Sequence, residues 1–86
     1  MNFDLTDTNW TEVTNLTNGN TFVLHAKSTS SSPYTLTEIL VFMGTSAPSD
    51  VKVGQLATDV KFKKIMGVSI YVKAFTAGVN IEVQEV

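Results

Sequence analysis

The last third of the chain alternates. In residues 68–75, VSIYVKAF, Val68, Ile70, Val72 and Ala74 fall on one side of an extended backbone, and Ser69, Tyr71 and Lys73 on the other. In residues 78–86, GVNIEVQEV, Val79, Ile81 and Val83 alternate with Asn80, Glu82 and Gln84. Successive side chains of a strand point to opposite faces, so a period of two predicts half-buried strands with one wet and one dry side. Thr76-Ala77-Gly78 is the expected hairpin loop between them. A chain ending this way is confined to β architectures. Twelve threonines and eleven valines, β-branched residues that favour strands, carry the same tendency through the rest of it.

Read from the start, residues 1–9 form an N-terminal arm whose apolar anchors are Phe3 and Leu5, and residues 10–86 form one domain. Residues 10–16 read as a first strand. Asn18-Gly19 is the strongest hairpin signal, since both residues tolerate positive φ. A two-residue loop there pairs Thr17 with Asn20. It sets Val13 opposite Leu24, Asn15 opposite Phe22 and Thr11 opposite Ala26 on a core side, with Glu12 opposite His25 and Trp10 opposite Lys27 on the other. Residues 27–33, KSTSSSP, read as a serine-rich loop. Residues 34–43 end in ILVFM, a run without a polar break that suits a strand buried on both faces. A short helix is the rival there, with Thr35 and Glu38 as a capping box and Gly44 as a C-cap. Residues 51–56 read as a short strand with Gly54 at a bulge or bend, against a helical spacing of Val53, Leu56, Ala57 and Val60. In residues 60–65, Val60 and Phe62 face in and Lys61 and Lys63 face out, and Met66-Gly67 turns the chain back. About seven short strands at roughly 8–12-residue spacing predict an all-β fold, a small antiparallel β-sandwich or jelly-roll-like barrel.

Chemistry is sparse. His25 is the only histidine, there is no cysteine, and no carboxylate pair has an evident pocket in 86 residues, so the chain reads as noncatalytic and without metal or cofactor. Asp4 and Asp7 lack the glycine and distal glutamate of an EF-hand loop. The sequons at Asn9 and Asn15 are expected by chance among nineteen Ser or Thr and six Asn. A net charge of −2 and six lysines with no arginine argue against nucleic acid. The apolar run 39–43 is far too short to span a bilayer. Lys61, Lys63 and Lys64 beside Phe62 form either a solvated, aggregation-resistant strand edge or a docking patch for an acidic partner. Trp10 is either a core residue or an interface anchor. A domain this small without disulfides is commonly stabilised by oligomerisation or by docking onto a larger body. The candidate interface is therefore Phe3, Leu5, Trp10, Lys61 and Lys63.

Four segments also carry a family resemblance. Trp10-Thr11-Glu12-Val13, Ser46-Ala47-Pro48, Tyr71-Val72-Lys73-Ala74, and Gly78 followed by residues 79–85 occur in an order similar to small virion accessory proteins of tailed bacteriophages. One departure is residues 51–64, where a glycine-rich turn is expected and Gly54 is the one glycine. The resemblance implies a structural protein of the phage particle. It would be a capsid decoration (cement) subunit, commonly a homotrimer, binding across major capsid protein subunits. The alternative it implies is a fibre or tail component that recognises host glycan, with Trp10, Tyr34 and Tyr71 as stacking aromatics, or another virion protein. In the decoration role the arm, residues 1–9, would order on contact with the shell.

Overall fold

The structure, a computed structural model, describes residues 1–28, 37–49, 54–75 and 78–86. Its strands are β1 (Asn2–Leu5), β2 (Thr11–Val13), β3 (Thr21–Ser28), β4 (Ile39–Gly44), β5 (Gln55–Ala57), β6 (Asp59–Lys63), β7 (Ser69–Ala74) and β8 (Val79–Glu85). The ILVFM run is a strand, and no helix occurs among the described residues. The serine-rich stretch from residue 29, Tyr34, Thr35 and residues 51–53 and 76–77 lie outside the described residues.

The strands form two antiparallel four-stranded sheets, ordered β1-β8-β3-β6 and β2-β7-β4-β5. Each strand is followed by one in the opposite sheet, except that β5 follows β4 in its own. This interleaved order is that of an eight-stranded jelly roll. The expected all-β sandwich is therefore present, with eight strands among the described residues where about seven were expected.

The inward sides of β3, β7 and β8 are the predicted ones. Phe22, Leu24 and Ala26 of β3, Ile70, Val72 and Ala74 of β7, and Val79, Ile81 and Val83 of β8 fill the core between the sheets. Phe22 and Phe62, adjacent in register, stack at 5.9 Å.

The pairings correct three expectations. β2 and β3 are not a hairpin. The Asn18-Gly19 turn forms, with the Asn20 N–H donating to the Thr17 carbonyl, but it then binds the β6–β7 connection through Gly19 N–H to Lys64 O and Lys64 N–H to Asn20 O. Asn15 has φ 64°, which turns the chain out of β2 and exposes the side chain expected opposite Phe22. Val13 instead pairs with Ile70, and His25 lies between Asp59 and Glu82 rather than opposite Glu12. Likewise β7 and β8 lie in different sheets and are not a hairpin.

The third correction concerns residues 1–9, which are not a free arm. Phe3 sits opposite Ile81 and Leu5 opposite Val79, Leu5 is buried in the core, and the terminal ammonium donates to the Val83 carbonyl at 2.9 Å. The amphipathic NFDL pattern is that of an edge strand, and β8 supplies the ladder it needs.

Candidate docking surface

The outer sides of the two sheets differ in kind. On the first sheet the outward residues are those the alternation made polar. Lys27 binds Glu82 at 2.7 Å, the Gln84 amide donates to the other oxygen of Glu82 at 2.7 Å, and His25 Nδ1 lies 2.6 Å from Asp59 Oδ1. The hydrogen bond and charge of Lys27, with the Gln84 amide adding to them, hold the Glu82 carboxyl below its ordinary value of 4.5. This side is solvated and internally paired.

The outer side of the second sheet is mainly apolar and largely covered by the chain itself, with Glu12 exposed on it. Leu40 and Tyr71 point away from the core and are nevertheless buried, as is Lys73, whose ammonium donates to the Asp7 carbonyl at 2.5 Å. Trp10 lies over this side, edge-on to Phe42 with ring centroids 6.4 Å apart and planes at 62°. Gly54 makes room for it: a Cβ there would stand 3.2 Å from Trp10 Cη2 and 3.1 Å from the Val41 carbonyl oxygen. The Phe42 ring also covers Gly44, where a Cβ would meet it at 2.6 Å. Trp10 Nε1 is buried without a hydrogen-bond partner among the described residues. β7 thus has two dry sides where the alternation predicts one, and the unbroken ILVFM run was the signal that this sheet is covered twice.

The apolar surface continues from that layer. Leu56, in register with Leu40, is 54% exposed at the sheet rim. Beside it a cleft of about 680 Å³ opens between β5 and β6, lined by Val41, Phe42, Met43, Leu56, Ala57 and Val60 together with Gln55, Asp59 and Lys61. Antiparallel order places the β2–β3 and β6–β7 connections and both termini at one end of the sandwich. Met1, Met43, Ile65, Met66 and Val86 are all exposed at that end.

The five residues singled out from sequence do not converge. Phe3 and Leu5 face the core at one rim, Lys61 and Lys63 are exposed on the outer side of the opposite rim, and Trp10 covers the other sheet. Of the aromatics a sugar would stack on, Trp10 is half-buried, Tyr71 is buried and Tyr34 lies outside the described residues. Leu40, Phe42 and Leu56 were not singled out, because one strand's sequence does not say which of its two apolar sides has a neighbour.

His25 and Asp59 stand on the open side of the first sheet, and Asp59 lines the cleft while His25 does not. Among the described residues no group of three or more His, Cys, Asp or Glu could hold a metal, and no helix is long and apolar enough to cross a membrane. No family model matches the chain, and neither a curated protein nor a solved structure matches it.

Proposed function

We propose that the chain is a noncatalytic virion structural protein, a decoration subunit that binds across coat subunits of a phage shell through the partly exposed apolar layer outside its second sheet, Trp10, Phe42 and Leu56. The observation that carries this reading is that layer, in a fold where the opposite sheet is polar and internally paired. A sandwich with a charged outer side on one sheet and a partly exposed apolar layer over the other has a built-in orientation, with that layer on a partner and the charged side to water. The jelly-roll strand order adds support, since viral capsid domains are among the common users of that architecture. Repeated, symmetric sites on a shell would let modest contacts sum through avidity where copies are joined. Host-cell synthesis followed by incorporation into the particle goes with this role.

The test is sedimentation of assembled shells, built from the coat protein encoded with this chain, after incubation with the purified protein. Saturable co-sedimentation at a fixed ratio to coat subunits is expected. Protein left at the top of the gradient beside intact shells overturns the proposal.

A further inference from the structure

Four strands form the rims of the sheets: β1 and β6 in the first, β2 and β5 in the second. An open rim presents unpaired N–H and C=O groups, and charge on it guards against pairing with another chain. β1 carries Asp4, β2 carries Glu12, and β6 carries Asp59, Lys61 and Lys63. β5, Gln55–Ala57, carries no charge and presents the exposed Leu56.

We propose that β5 is a self-association edge, at which two copies of this chain pair antiparallel about a two-fold axis through Leu56. The second sheet then runs continuously across both molecules. The rim is self-complementary in the way an isologous contact requires. Leu56 meets Leu56 of the second copy, and Gln55 meets its Ala57. A row of four leucines, Leu40 and Leu56 from each copy, forms across the joined outer sides. The same pairing centred on β2 would set Glu12 against Glu12, and centred on β6 would set Lys61 against Lys61, both unfavourable.

The inference concerns the free protein and does not rest on the virion reading. A trimer, which the family resemblance implies, is a competing outcome.

Sedimentation equilibrium from micromolar to millimolar protein tests this. A reversible monomer–dimer equilibrium is expected. Leu56→Lys, at a side chain already half in solvent, should abolish it with an unchanged circular dichroism spectrum. A monomer at every concentration, a trimer, or a dimer untouched by Leu56→Lys each overturns the proposal.

Discussion

Two glycines separate backbone strain from crowding. Gly54 and Gly67 both have positive φ, 107° and 82°, a region costly for any residue with a Cβ. A Cβ on Gly67 would meet nothing within 4 Å among the described residues beyond its chain neighbours, so Gly67→Ala meets the backbone cost alone, about 1 kcal/mol. At Gly54 the new methyl would also press on the Val41 carbonyl at 3.1 Å and on Trp10 at 3.2 Å. The carbonyl is backbone and cannot step aside, so Gly54→Ala should cost about 1–3 kcal/mol more than Gly67→Ala. Urea denaturation of the two variants measures the difference, and equal losses would mean that Trp10 is not held against Gly54. The positive φ at Gly67 was legible from Met66-Gly67 as a turn. The crowding at Gly54 was not, because Trp10 lies far away in sequence and nothing in either segment announces the meeting.

At the scale of the element, strand sides were readable and strand partners were not. Val13, Phe22, Leu24 and Ala26 all face the core, as their spacing required. Two strands facing each other across a core alternate in the same way as two strands side by side, so the Asn18-Gly19 turn looked like a hairpin when it joins opposite sheets. The same ambiguity hid β1. Phe3 and Leu5 looked like anchors awaiting a partner molecule, and their partner is β8 of the same chain. The consequence is measurable. If residues 1–9 were a free arm, removing residues 1–5 would leave the fold intact and affect only docking. As an edge strand, its loss takes Leu5 from the core and uncovers β8 along Val79 to Val83. Deleting a buried leucine side chain alone costs about 2–5 kcal/mol. A domain of this size has about 4–13 kcal/mol in total. Truncation of residues 1–5 should therefore lower the urea midpoint by a large fraction of its value, and an unchanged midpoint would return these residues to the status of an arm.

For the whole molecule, the question is whether the apolar layer outside the second sheet unfolds with the core or before it. Trp10 is the only tryptophan and lies in that layer, so its fluorescence reports the layer, while far-ultraviolet circular dichroism reports both sheets. A layer held only by side-chain contact would peel first. Trp10, however, is fixed by backbone on both sides. Thr11 follows it and pairs with Val72, while upstream the Thr6 carbonyl accepts the Ala74 N–H. Moving the ring off Phe42 therefore means breaking the β2–β7 ladder, and β7 carries Ile70, Val72 and Ala74 into the shared core. Neither sheet can keep that core without the other, so the two transitions should coincide in urea and follow one exponential on refolding. The refolding should be slow, in the millisecond-to-second range, because every sheet neighbour except β4 and β5 is distant in sequence. A fluorescence midpoint clearly below the dichroism midpoint would show that the outer layer is a separate cooperative unit, and would make it the segment that rearranges on docking.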